Sequence, residues 1–257
     1  MSLLSSFSDE NESLNVAIIG ATGGIGRSLV ALLVKDPLLK TLYCCSRSSF
    51  ELDSYQQSLD NIHSVEIDIS NDESIKSAAG IIARQGHSLD LIIVATGLLH
   101  NDGGLKPEKS LQQLSSENFL NNMTVNALGP ALVAKYFIPL MSKNKRTFFG
   151  AFSARVGSIS DNGLGGWHSY RASKAAVNML LKNISIEYKL KSPQLIVAGL
   201  HPGTVDTDLS KPFQKNVKPE KLFTSEFSAK QILSVINKLS LNDSGYCFAW
   251  DGKRIPA

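Results

Sequence analysis

Tyr170 and Lys174 are the two residues of this chain whose types and spacing best suit chemistry. In His168-Ser169-Tyr170-Arg171-Ala172-Ser173-Lys174 they stand at i and i+4, so a helix through this stretch places both on one face. A free phenol has a pKa of about 10, too high for a useful base near neutrality. A neighbouring ammonium favours the phenolate and brings that pKa toward the working range. The tyrosine could then give a proton to a carbonyl oxygen while a hydride reaches its carbon, or take the alcohol proton in reverse. Tyr-x-x-x-Lys is also common on ordinary helix surfaces, so the pair needs support from elsewhere.

Part of that support lies near the N-terminus, in Gly20-Ala21-Thr22-Gly23-Gly24-Ile25-Gly26-Arg27. Glycines there let the backbone turn sharply and approach a pyrophosphate, while the helix that follows aims free N–H groups at the phosphate charge. Ordinary tight turns also use glycine, but this one follows an apolar run and opens an amphipathic segment. The next apolar run ends Tyr43-Cys44-Cys45-Ser46-Arg47, with no acid to take a ribose 2′-hydroxyl. Arg47 suits a 2′-phosphate instead, which favours NADP(H) over NAD(H); the alternative is a solvated surface arginine. Asp68, in Glu66-Ile67-Asp68-Ile69, is placed either to bond an adenine amino group or to cap the helix beginning near Asn71.

The elements that must position these groups follow from the apolar pattern. Strand-like runs occur at 15–20, 41–45, 64–67, 91–95, 147–152, 194–200 and 246–250, mostly as continuous Val, Ile, Leu and Phe. Strands covered on both faces read this way, so the sheet is expected to be mainly parallel and seven-stranded. Helical segments at 24–35, 71–84, 116–141, 169–191 and 225–239 alternate with them, predicting a single-domain, doubly wound α/β fold. Two long breaks, 98–114 and 208–224, follow strand carboxyl ends, where such sheets place ligands, and are candidate substrate loops. Residues 1–14 are acidic, lack the pattern of a signal peptide and are expected to be a mobile tail before a domain spanning 15–257.

Bulk properties narrow the classes. The 257 residues are 43% apolar and 19% charged, ordinary for a soluble globular domain. A net charge of +3, scattered without a basic stripe, gives no reason to expect nucleic acid. Three cysteines at irregular spacing argue against a disulfide framework, and no Cys/His cluster has metal spacing. A reducing, cytoplasmic setting without membrane association is expected.

In chain order, Gly20-x-x-x-Gly24-x-Gly26, Asp68-Ile69, Val125-Asn126-Ala127, Tyr170-x-x-x-Lys174 and Pro202-Gly203-Thr204-Val205-Asp206-Thr207 resemble the short-chain dehydrogenase/reductase family. The stretch Arg155–Ile159 leading into Gly165–Tyr170 looks most like its C-factor-like and sniffer-like carbonyl reductase branch. The resemblance implies a Rossmann-type fold, with Gly20, Thr22, Gly24, Ile25 and Gly26 around the pyrophosphate and Arg47, Asp68 and Ile69 around the adenosine end. It further implies Ala95, Gly97, Pro202, Gly203, Val205 and Thr207 near the nicotinamide, and Lys174 on the ribose hydroxyls. Asn126 would bend its helix and hold a water relaying protons to Lys174.

Three positions depart from the family. Ile19 precedes the first glycine where Thr is frequent, and Val94-Ala95-Thr96-Gly97 stands where Asn-Asn-Ala-Gly is usual. The serine that steadies the substrate oxygen falls on Ala154, leaving Ser153 and Ser158 as alternatives, either of them open to a purely structural role. His168 is better read as packing than as a donor. Trp167, Leu98, Leu99 and Phe213 are candidates for an apolar pocket wall or for ordinary packing. The expected activity is reduction of a small aldehyde, ketone or quinone; the alternative is an NADP(H)-binding sensor with little catalysis. A homodimer is implied through the helices holding Asn126 and Tyr170, with Asn178, Met179, Asn183 and Ile186 candidates for its surface.

Overall fold

The computed structural model describes residues 2–7, 13–50 and 61–257. Along the chain run β1 (Leu14–Ile19), α1 (Gly24–Leu33), β2 (Leu39–Ser46), β3 (Ile62–Glu66), α2 (Asp72–Arg84) and β4 (Leu91–Val94). They are followed by α3 (Ser116–Met123), α4 (Gly129–Phe137), β5 (Thr147–Phe152), α5 (His168–Lys191) and β6 (Leu195–His201). The short β7 (Thr204–Val205) and β8 (Leu222–Phe223), then α6 (Ser225–Lys238), β9 (Tyr246–Ala249) and β10 (Arg254–Ile255), complete the chain.

The main sheet has the order β10-β9-β6-β5-β4-β1-β2-β3. Its pairs are parallel except β9–β10, which is antiparallel. Strand order reverses where β1 sits between β2 and β4, and the carboxyl ends there open the crevice in which doubly wound sheets hold ligands. Side chains alternate between two apolar layers, as a period of two demands. Ala17 and Ile19 of β1 face a layer closed by Ile75 of α2, Val133 and Phe137 of α4, and Val177 and Leu181 of α5. Val16 and Ile18 face Leu29 and Leu33 of α1 with Ile232 and Ile236 of α6. Each fully buried side chain of this size contributes about 1.5–3 kcal/mol of transfer free energy.

The structure differs from the sequence reading in three places. The sheet has an eighth strand, Arg254–Ile255, too short to show a period. The long helix expected over 116–141 is interrupted by a π-helical turn, Thr124–Leu128. Two residues explain the break: Pro130 has no N–H to give to the carbonyl of Asn126, and a Cβ on Gly129 would lie 2.5 Å from Ile69 Cγ1. Finally, residues 2–7 of the expected tail are packed, because Leu4 and Phe7 are apolar enough to be buried. Phe7 lies edge-on to Phe148 with centroids 6.5 Å apart, the Arg146 guanidinium sits 4.5 Å over its ring, and Leu14 already belongs to β1. Residues 1 and 8–12 of that segment lie outside the described residues. No helix among the described residues is long and apolar enough to cross a membrane.

Candidate functional site

A groove of about 1350 Å³ runs along the carboxyl edge of the sheet. At one end β1 runs into Gly20, whose φ of +92° suits glycine and lets its N–H reach Cys45 O at 2.8 Å. A Cβ on Gly26 would lie 2.1 Å from Gly20 O, so only glycine allows the turn to sit directly on the start of α1. That helix begins at Gly23 with no side-chain cap and no acid in its first turn, leaving its leading N–H groups to the groove. An uncapped helix start beside a glycine turn fits a pyrophosphate. Gly20, Thr22, Gly24 and Ile25 line this end, whereas Gly26 lies beneath it.

The adjoining wall holds Arg47, Asp68 and Ile69. Arg47 is exposed at the end of β2. Asp68 accepts from the N–H and hydroxyl of Ser70 at 2.9 and 2.6 Å. Those bonds, with a smaller contribution from Arg47, hold its carboxyl below the usual carboxylate range. The cap of α2 is Asn71, which accepts from Ser74 N–H at 3.1 Å, so Asp68 does not cap that helix.

At the centre of the groove, Tyr170 and Lys174 project from one face of α5 and are both buried. Lys174 Nζ donates to Phe152 O at 2.8 Å and lies 5.6 Å from the centroid of the Tyr170 ring. Burial dominates the ionisation of both: it pushes the phenol up to about 12 and the ammonium down to about 8. The expectation that the lysine would draw the tyrosine toward neutrality is reversed, because burial outweighs it. At pH 7 Tyr170 holds its proton and Lys174 is still mostly cationic.

Asn126 lies behind the groove rather than on its surface, and its amide is fully engaged. Its Oδ1 accepts Leu98 N–H at 2.8 Å, and its Nδ2 donates to Leu98 O, Asn122 Oδ1 and Ser173 Oγ at 2.8, 3.2 and 3.1 Å. The side chain thereby braces the segment after β4 against α5. Asn122 lies in no motif and Ser173 fills a variable position of Tyr170-x-x-x-Lys174, so the part each plays comes only from the fold.

Ala154 lies in an apolar cluster with Leu99, Tyr170, Val156, Trp167, Leu209 and Phe213, so a methyl group shares the tyrosine's surroundings at the position where the resemblance implies a serine. Each candidate serine has its hydroxyl engaged elsewhere. Ser153 lines the groove, but its hydroxyl donates to Asn178 Oδ1 at 2.7 Å, one turn along α5 from Lys174. Ser158 is buried in the turn beyond, donating to Ala257 O at 3.4 Å and accepting Asp161 N–H at 3.1 Å. Asn178 therefore faces inward, contrary to its expected place on an outer surface, while Met179, Asn183 and Ile186 are exposed.

The two long loops close the far end. His100 Nε2 pairs with Asp208 O at 3.0 Å, and the His100 ring meets Phe213 edge-on at 5.6 Å. Trp167 packs against Phe213 at 5.2 Å and Tyr170 at 6.1 Å, and Leu98 also lines the groove. His100 had no spacing to mark it; its role as a latch between loops depends on tertiary contact. His168 opens α5 and is not among the lining residues. On the remaining wall Ala95, Gly97, Pro202 and Thr207 line the groove. Gly203 instead packs on Phe223 and Trp250, and Val205 is buried in β7. Among the described residues no cluster of His, Cys, Asp or Glu could hold a metal ion.

Known proteins place this arrangement. The family described as short chain dehydrogenase matches residues 14–218. An uncharacterized oxidoreductase of Saccharomyces cerevisiae is 31% identical over 91% of this chain and 94% of its own. The C-signal of Myxococcus xanthus is 30% identical over 62% of this chain and 90% of its own. The crystal structure of NADPH-bound carbonyl reductase from chicken fatty liver superposes with a TM-score of 0.79, covering 96% of this chain and 100% of that one at 26% identity. The chain belongs to the short-chain dehydrogenase/reductase family and is an oxidoreductase near its C-factor-like and sniffer-like branch.

Proposed function

We propose that this oxidoreductase reduces a carbonyl compound to an alcohol with NADP(H), Tyr170 giving the proton to the carbonyl oxygen. The observation that carries this reading is the placement of Tyr170 and Lys174 on one buried helical face, at the middle of a groove whose other end is an uncapped helix start. Bound there, NADPH would supply the hydride. Gly20, Thr22, Gly24, Ile25 and the start of α1 would hold its pyrophosphate, Arg47 its 2′-phosphate, and Asp68 and Ile69 its adenosine end. Ala95, Gly97, Pro202 and Thr207 would flank the nicotinamide. A phenol held at about 12 is protonated across the physiological range, which suits an acid more than a base. Lys174, cationic below about 8, stabilises the phenolate left after the proton has gone. Asn126 keeps the loop after β4 at a fixed distance from α5 and so from Tyr170.

The pocket wall of Leu99, Ala154, Trp167, Leu209 and Phe213 favours an aldehyde, ketone or quinone with an apolar body. Exposed Met179 and Ile186 on α5 favour a homodimer, which light scattering would report as twice the chain mass. One observation favours the alternative of an NADP(H)-binding sensor with little catalysis: Ala154 packs beside Tyr170, and the hydroxyls of Ser153 and Ser158 are given to Asn178 and Ala257. Purified protein mixed with NADPH and a panel of carbonyls separates the two. Absorbance at 340 nm should fall with the parent and not with Tyr170→Phe. Tight NADPH binding without turnover of any substrate would select the sensor.

A further inference from the structure

The helix that carries Tyr170 lacks a cap of its own. Its flanking residue, Trp167, has φ +50°, the only non-glycine positive φ among the described residues, and makes no side-chain cap bond. Gly165 and Gly166 precede it at φ +64° each, so the chain enters α5 through three successive left-handed residues. A non-glycine residue in that region costs of order 1 kcal/mol and persists only where its surroundings impose it. Two groups impose it here. From one side, Arg171 Nε donates to the carbonyls of Gly165 and Gly166 at 3.2 and 3.1 Å. From the other comes Glu108, sixty-one residues upstream of Ser169 and 2% exposed. Its carboxylate accepts the N–H of Ser169 at 3.2 Å and the hydroxyl of Ser169 in a short bond, and its backbone carbonyl accepts Trp167 N–H at 2.5 Å.

We infer that Glu108 is a positioning residue for Tyr170. Resting on the proposed reduction, the assignment gives a specific task to the far end of the loop whose near end, Leu98–Asp102, borders the groove. A buried carboxylate on the first N–H groups of a helix satisfies donors that would otherwise be orphaned and meets the positive end of the helix dipole. Ser169, which it grips twice, is the residue immediately before Tyr170. The same grip holds the left-handed turn that sets the Trp167 ring against Tyr170, centroids 6.1 Å apart. Glu108 therefore couples the substrate loop to the direction in which the phenol points, without touching the reacting atoms itself.

Glu108→Ala, Glu108→Gln and Ser169→Ala are compared with the parent and Tyr170→Phe in the full chain. Readouts are kcat and KM for carbonyl reduction, NADPH affinity by fluorescence, and amide exchange of the segment 165–172. Loss of a cap predicts about tenfold faster exchange in the first turn of α5 for Glu108→Ala. It also predicts a kcat lowered at least about tenfold, with NADPH affinity within twofold of the parent. Gln can still accept the Ser169 N–H and give an N–H to its hydroxyl oxygen, so Glu108→Gln should recover most of both losses. Should Glu108→Ala fail to fold, Ser169→Ala reports the same coupling with a smaller loss. Parent-like kcat in Glu108→Ala and Ser169→Ala overturns the assignment, as does a loss that follows NADPH affinity. If the parent fails to turn over, or Tyr170→Phe keeps its rate, the reduction itself is refuted and the positioning role falls with it. A surviving change in exchange would then mark Glu108 as a structural cap only.

Discussion

Gly26→Ala is the substitution with the sharpest consequence for cofactor binding. A Cβ there would lie 2.1 Å from Gly20 O, 3.0 Å from Gly20 C and 3.1 Å from Ala21 Cα. All three are backbone atoms, so no side chain can swing away. Ordinary contact requires the turn and the helix start to separate by about 1 Å. Overpacking of this kind costs about 1–3 kcal/mol, a fall in Tm of roughly 2–12 °C for a chain of this size. The same displacement stretches hydrogen bonds from the helix start to a bound pyrophosphate beyond useful length, so the NADPH Kd should rise at least about tenfold. Gly80→Ala supplies the contrast. Gly80 lies inside α2, and the nearest atom to an added Cβ is Arg84 Nη1 at 3.9 Å. Removing glycine's backbone freedom there should stabilise by about 0.4–1 kcal/mol and leave NADPH affinity alone. Thermal melts and fluorescence titrations of the two variants suffice. A Gly26→Ala protein that melts and binds NADPH like the parent would refute the reasoning.

Other predictions concern charge. Reduction at saturating substrate should hold steady from pH 6 to 7 and fall by about tenfold between pH 7 and 9, as Lys174 loses its proton around 8 while Tyr170, near 12, keeps its own. A rate still rising at pH 9 would contradict that assignment of acid and cation. Arg47→Asp should weaken NADPH binding by about tenfold or more and spare NADH, since it swaps a partner of the 2′-phosphate for a repelling charge. Equal loss of both cofactors would place Arg47 elsewhere in the binding scheme.

Much of the scaffold was legible because its signals are local or periodic. Continuous apolar strands, the glycine turn and the four-residue spacing of Tyr170 and Lys174 depend on neighbours in sequence, and the structure brings the turn and the pair to one groove. The groups that steady the site are another matter. Glu108, Ser173 and His100 act across 47 to 108 residues of chain, where no spacing rule reaches, and Asn122 acts only as part of the Asn126 network. Tyr170 shows a third kind of gap: the lysine beside it was visible, but the burial that outweighs it was not. The packed residues 2–7 were misread for a related reason, since a short apolar stretch carries no period and its docking onto Phe148 is a tertiary event. Pro130 did carry a readable sign of the broken helix, two positions beyond the π-turn.

The central claim is that Tyr170 is the acid of a carbonyl reduction, and Tyr170→Phe tests it most directly. The substitution removes one hydroxyl and keeps the ring that packs against Trp167, so the pocket and the cofactor groove should survive. With the best carbonyl found for the parent, NADPH consumption at 340 nm should fall by at least about a hundredfold while NADPH affinity stays within twofold. A Tyr170→Phe protein that keeps the parent's rate would contradict the account.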